Sequence, residues 1–188
     1  MDIKLFSDMI DALGKVTGAL KSAVSLPKEE RERYRQTIAE NYRLIDTTLN
    51  MIVIRLGDVL LPANEPAFVQ EVAKLDNYGD WMRAEREFRL CQSLRAALRE
   101  TKSVSGKVKA AISVKDFDAL IALMESTTAA EGEVAEFISV RFSTLGEAAR
   151  TPGVDSAKLR EDVKAFRDAL LGERQRLIRD EIELYSVV

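Results

Sequence analysis

Three glutamates, Glu131, Glu133 and Glu136, are the side chains whose type and spacing could do chemistry. Glu131 occupies a position that the helical pattern otherwise gives to apolar residues, and burial raises the pKa of a carboxyl group that has no partner. A metal or proton-transfer site is the functional interpretation. A solvated helix break at Gly132, or a buried pair with an arginine of another helix, is the structural one. We favour the structural interpretation, because no second acidic cluster stands at matching spacing on another helix.

The chain contains one cysteine and no histidine. Cys91 shares an apolar stripe with Trp81, Phe88 and Leu98, where a free cysteine acts as a small hydrophobic residue. Without histidine the usual activator of a nucleophile is missing, as are the histidine-containing di-iron sites of helical bundles. A single cysteine also cannot form an intrachain disulfide. We therefore predict no catalytic residue, no cofactor and no metal, and keep a carboxylate-dependent metalloenzyme around Glu131 as the third alternative.

The charge pattern argues against binding to nucleic acid. The net charge is −3, with both signs interspersed along the chain, whereas sequence-independent binding to nucleic acid needs a strongly basic face. The arginines in the segments 31–35 and 174–176 alternate with other residue types, so we interpret them as solvated helix faces. The expected partner is therefore another protein or a second copy of this chain, and no nucleic acid.

The N-terminal segment carries the candidate interaction face. An amphipathic helix is predicted over about 2–24, and the residues that could contact another helix are Phe6, Met9, Leu13, Gly14, Gly18 and Leu20. Each glycine lowers helix stability by about 1 kcal/mol relative to alanine, and small residues four positions apart allow close helix approach. One interpretation is a fifth helix of the bundle. The other is a detachable helix, within residues 1–25, that docks on a partner or on a membrane surface.

Helical periodicity dominates the remaining chain and defines the fold class. One side of a second helix, predicted from about 27 to 60, carries Tyr34, Ile38, Tyr42, Ile45, Leu49, Ile52, Leu56 and Val59. Prolines 62 and 66 end this helix, and a short helix follows. Further long helices are predicted from about Asp80, from about Ser113, and from Asp155 or Ser156 to about Tyr185. The sequence predicts an all-α fold: an elongated, antiparallel up-and-down bundle of four long helices, plus the N-terminal and connecting helices, in one domain spanning 1–188.

The long helices and the lack of a catalytic constellation together suggest a binding function. We predict first a non-enzymatic helical-bundle module for protein–protein interaction or self-association. The second hypothesis is a membrane-active bundle that releases its N-terminal amphipathic helix on a trigger. No secretory signal pattern begins the chain, and no apolar stretch reaches the ~20 residues that span a bilayer, so a cytoplasmic location is expected.

Overall fold

The computed structural model of this chain describes residues 3–22, 27–77 and 131–186, and all the regular elements in those ranges are helices. They are α1 (Lys4–Ser22), α2 (Lys28–Leu60), α3 (Glu65–Ala73), α4 (Glu131–Arg150) and α5 (Ser156–Tyr185). The predicted all-α class is confirmed. The helix predicted from about Asp80, the start of the next one, and Cys91 lie outside the described residues.

Helices α2 and α5 form the longest pair and run antiparallel. They contain 33 and 30 residues, which corresponds to lengths of about 50 and 45 Å. Arg35, near the start of α2, lies over the ring of Tyr185 at the end of α5, whereas Leu60 at the end of α2 accepts a hydrogen bond from Arg160 near the start of α5. The two helices are therefore in contact along nearly their whole length.

One cluster of buried apolar side chains receives residues from all five described helices. Its members that expose no more than 2% of their surface include Phe6, Ile10 and Leu20 of α1, Tyr42, Leu49, Ile52 and Leu56 of α2, Phe68 of α3, Phe142 of α4, and Phe166 and Leu170 of α5. Burying one such aliphatic or phenyl side chain stabilises a fold by about 1.5–3 kcal/mol. This cluster positions the helices relative to one another.

Helix α1 runs parallel to α5 and fills the space beside α2. The Ser7 hydroxyl donates to Glu173 Oε1 at 2.7 Å, and Lys21 Nζ lies 3.1 Å from Glu183 Oε2. From the first contact to the second, the residue number rises on both helices, from 7 to 21 on α1 and from 173 to 183 on α5. The two helices are therefore parallel. Because α5 runs antiparallel to α2, α1 is also antiparallel to α2.

An arginine of α5 stabilises the C-terminal end of α2. Arg160 donates from Nη1 to the Leu60 carbonyl at 3.1 Å and from Nη2 to the Pro62 carbonyl at 2.8 Å. The last carbonyls of a helix lack intrahelical donors, so Arg160 satisfies groups that would otherwise need water. Its guanidinium also lies 4.0 Å from the centroid of the Phe68 ring, which ties α3 to the same place.

Local capping explains where α3 and α5 begin. Asn64 Oδ1 accepts from the backbone N–H of Ala67 at 2.8 Å, and Asp155 Oδ1 accepts from that of Lys158 at 3.0 Å. Both are side chains that favour the N-cap position. Between α4 and α5, Gly153 has a φ of 75°, a left-handed conformation that glycine adopts at little cost. The start of α3 at Glu65 agrees with the short helix predicted to follow the end of the second helix, and the start of α5 agrees with the predicted start at Asp155 or Ser156.

Candidate interaction surface

The apolar members of the predicted N-terminal interaction face are buried inside this molecule. Phe6, Met9, Leu13 and Leu20 expose at most 7% of their surface, because α1 packs against α2 and α5. In this arrangement the four side chains contribute to the shared core and are covered by the protein's own helices. Detachment of α1 stays a prediction.

The two glycines of that predicted face have different surroundings. A Cβ atom at Gly14 would lie 3.3 Å from Oδ2 of Asp180 on α5, whereas at Gly18 it would meet no described atom within 4 Å. Burial raises the pKa of Asp180, and the nearby positive charge of Arg176 opposes this rise. Gly14 thus permits close approach to α5, and Gly18 lies on the exposed side of α1.

A buried hydroxyl pair joins α1 to α2. The Thr17 and Tyr42 hydroxyl oxygens are 3.0 Å apart, and neither residue exposes more than 3%. Burial raises the pKa of Tyr42 to about 12, against the opposite effect of the hydrogen bond to Thr17. The interaction face predicted for this helix did not include Thr17. The spacing of Thr17, four residues after Leu13, was the available signal.

Two arginines of the segment 174–176 connect helices, so their interpretation as solvated faces is wrong. Arg174 Nε donates to Oδ1 of Asp46 on α2 at 2.7 Å. Arg176 Nη2 donates to the backbone carbonyl of Ser7 at 2.9 Å and lies 3.2 Å from Asp11 Oδ1. These partners belong to other helices far away in the sequence, which a pattern along one helix cannot reveal.

An exposed apolar ridge runs along the C-terminal part of α5. Ile178, Ile182 and Tyr185 expose 38%, 64% and 44% of their surface. Spacings of four and three residues place them on one side of the helix. Single exposed aliphatic residues are common on protein surfaces, whereas a contiguous apolar patch marks a candidate interaction site.

Two arginines of α2 border this ridge at Tyr185. The Arg35 guanidinium carbon lies 5.5 Å from the centroid of the tyrosine ring, within the range of a cation–π contact. Arg43 Nη2 donates to the tyrosine hydroxyl at 3.4 Å, and that hydroxyl donates to Glu181 Oε1 at 3.3 Å. We call the ridge together with Arg35 and Arg43 the α2/α5 surface.

A groove of about 500 Å³ opens beside Tyr185. Its charged lining residues are Arg33, Arg35, Arg43, Glu32 and Glu40. Glu32 Oε1 lies 2.6 Å from Nη2 of Arg35, and the hydrogen bond from this guanidinium lowers the pKa of the Glu32 carboxyl. The groove therefore contains three arginines and two glutamates, and one arginine, Arg35, is paired with one glutamate, Glu32.

The α2/α5 surface combines exposed aliphatic side chains with tyrosine and arginine. Arginine and tyrosine are enriched among the residues that dominate protein–protein binding energy, and an exposed guanidinium recognises carboxylates through paired hydrogen bonds. Within the described ranges, no group of three or more histidine, cysteine, aspartate or glutamate residues is arranged to hold a metal ion.

The predicted carboxylate site cannot be placed in the same way. Glu131 is the first residue of α4, but its side chain and those of Glu133 and Glu136 lie outside what the structure describes. The alternative of an enzyme around Glu131 therefore stays a prediction. None of the described helices combines the length and apolar character needed to cross a bilayer.

Comparisons with protein-family models, with curated proteins and with solved structures find no match to this chain. A function can therefore be argued only from the chemistry and geometry of the surface itself.

Proposed function

We propose that this protein is a non-catalytic helical bundle that binds a helical segment of another protein through the α2/α5 surface. The observation that carries this proposal is the apolar ridge of Ile178, Ile182 and Tyr185, which is exposed beside two arginines of α2. The rest of the described apolar stripe of α5 is buried in the core, so the ridge is a second apolar side of the same helix.

The spacing of the ridge favours a helix as the bound element. Residues 178, 182 and 185 repeat at four and three positions and extend over about 10 Å. A second helix packs against such a row by inserting its own side chains beside the row. Amphipathic helices also bind apolar grooves through side chains at this spacing. An extended strand would instead need unpaired backbone groups, which an intact helix does not offer.

The proposal is tested by removing the ridge without disturbing the core. In the double variant Ile178→Ser/Ile182→Ser both changes are at exposed positions, so we expect it to fold like the wild type. Ile54→Ser is the matched control, because Ile54 is 54% exposed and lies 11 residues beyond Arg43 on α2, about 16 Å along the helix. A photo-crosslinking residue at position 182 identifies what touches the ridge.

We expect proteins captured by the wild type to be retained by Ile54→Ser, lost by the double variant, and crosslinked at position 182. Equal capture by all three proteins would contradict the proposal. A dimer that light scattering detects in the wild type, and that the double variant abolishes, would replace the heterologous partner with self-association.

A further inference from the structure

We infer that Arg35 is a positioning residue of the α2/α5 surface: it holds the Tyr185 ring in place, so that the ring forms a fixed end of the apolar ridge for the bound helix. This inference rests on the proposed function and deepens it, because Arg35 then acts through Tyr185 and not on the partner.

Arg35 is held by its own protein and is mostly covered. Glu32 Oε1 lies 2.6 Å from Arg35 Nη2, and the Arg35 side chain exposes 25% of its surface. A guanidinium that is held by a carboxylate can stack on an aromatic ring at the same time. The Arg35 guanidinium carbon lies 5.5 Å from the centroid of the Tyr185 ring, within the range of a cation–π contact. Glu32 therefore fixes Arg35, and Arg35 fixes the ring.

The Tyr185 ring depends on this contact, because its hydroxyl is only weakly held. The hydroxyl oxygen lies 3.4 Å from Arg43 Nη2 and 3.3 Å from Glu181 Oε1, and both distances exceed the usual range of a hydrogen bond. Tyr185 is also the last residue of α5 and is 44% exposed. A side chain at such a position samples several rotamers unless a neighbour restrains it. A bound helix would then have to immobilise the ring itself.

The charges that line the groove are compensated within the protein. Glu32 pairs with Arg35. The pKa of Arg43 is raised by its hydrogen bond to the tyrosine hydroxyl, and the carboxylates of Glu181 and Glu40 act in the same direction. A ligand thus gains little from its own charge at the groove. The ridge and an ordered tyrosine ring are left to recognise the bound helix.

A double-mutant cycle tests whether Arg35 acts through Tyr185. The probe is a synthetic helical peptide with leucines at positions i, i+4 and i+7 and glutamine beside them, which offers Arg35 no carboxylate. Fluorescence anisotropy with the full chain measures its affinity. We expect Arg35→Ala to weaken binding about two- to tenfold, because the peptide must immobilise an unrestrained tyrosine. In the Tyr185→Ala background the same change should have less than about a twofold effect, because the ring that Arg35 positions is gone.

Arg35→Lys and Gln36→Ala are the controls. Lysine keeps a cation that can lie over the ring, so we expect Arg35→Lys to retain most of the affinity. Gln36 lines the same groove and donates to the same oxygen of Glu32, at 3.1 Å. Gln36→Ala removes a partner of Glu32 and none of Tyr185, so its effect should stay below about twofold.

Two results would overturn the positioning role and leave the proposed surface standing. One is Arg35→Ala binding the peptide as tightly as the wild type. The other is an equal loss with and without the Tyr185 ring, which would show that Arg35 acts on the peptide or on the fold. A peptide that fails to bind the wild type, or that binds Ile178→Ser/Ile182→Ser equally well, would overturn the proposed function and the inference together.

Discussion

Tyr42 illustrates, at the scale of the residue, how a polar group inside the core connects two helices. Its aromatic ring belongs to the apolar stripe of α2, and its hydroxyl pairs with Thr17 of α1. A buried hydroxyl that loses its partner costs about 1–3 kcal/mol. The pair therefore links the packing of α1 to the interior of α2.

The raised pKa of Tyr42 predicts alkaline destabilisation. An unfolded tyrosine ionises near pH 10, while the folded residue ionises near pH 12. Below pH 10 both states hold the proton and the contribution of Tyr42 to stability is complete. Above pH 10 the unfolded state releases its proton first, so stability falls as the pH rises through 12. Urea unfolding between pH 8 and 12 measures this decline.

Tyr42→Phe is the control for other groups that titrate at alkaline pH. We expect it to be about 1 kcal/mol less stable than the wild type at pH 8, because the Thr17 hydroxyl loses its partner. Its decline towards pH 12 should be shallower, so the two curves converge. Parallel curves over this range would show that Tyr42 ionises alike in both states.

At the scale of the element, the helix ends could be predicted because their signals are local. The predicted span of about 27–60 agrees with α2 (Lys28–Leu60), and Asp155 caps α5 as one of the two expected residues. Prolines, caps and a left-handed glycine act within a few residues of where they stand. The two glycines of α1 differ in a way that spacing could not show, since only Gly14 lies against another helix.

This difference predicts that an alanine substitution stabilises the protein more at Gly18 than at Gly14. Gly18→Ala should raise the free energy of unfolding by about 1 kcal/mol, because alanine favours the helix and its Cβ meets no described atom nearby. Gly14→Ala should gain less, since its Cβ would lie 3.3 Å from the Asp180 carboxylate. Chemical denaturation of both variants compares them directly. Equal gains would mean that the α1/α5 contact adjusts without cost.

At the scale of the whole molecule, α1 is an integral part of the shared core in this structure. Phe6, Ile10 and Leu20 are almost fully buried, and polar contacts reach α5 near both ends of α1 through Ser7 and Lys21. An element attached in this way should open together with the rest of the bundle rather than alone.

Native-state hydrogen exchange tests this integration. We expect the backbone amides of 13–17 in α1 to be protected to within about tenfold of those of 163–170 in α5, a difference of about 1.4 kcal/mol. Protection in α1 that is more than about a hundredfold lower, while α5 stays protected, would contradict the expectation. It would also favour the hypothesis of a detachable N-terminal helix.

The candidate surface, by contrast, could not be predicted. Helical periodicity predicts a core-facing side of α5 that contains Leu159, Phe166 and Leu177, and the structure buries all three. It did not single out Ile178 and Ile182, because an apolar residue next to a stripe is exposed or buried according to which helices cover it. The two arginines that contact Tyr185 lie on α2, more than 140 residues earlier in the chain.

The sequence by itself determined the all-α class, the bounds of α2 and α5, and the sides of the helices that enter the core. These features follow from periodicity and capping, which act over a few residues. Only the tertiary structure decided that α1 lies parallel to α5, that Thr17 pairs with Tyr42, and that Arg43 borders an apolar ridge that the described helices leave exposed. Those relations depend on packing between segments that are distant in the chain. The summed energy of many small contacts determines which of several arrangements with the same local pattern is the most stable.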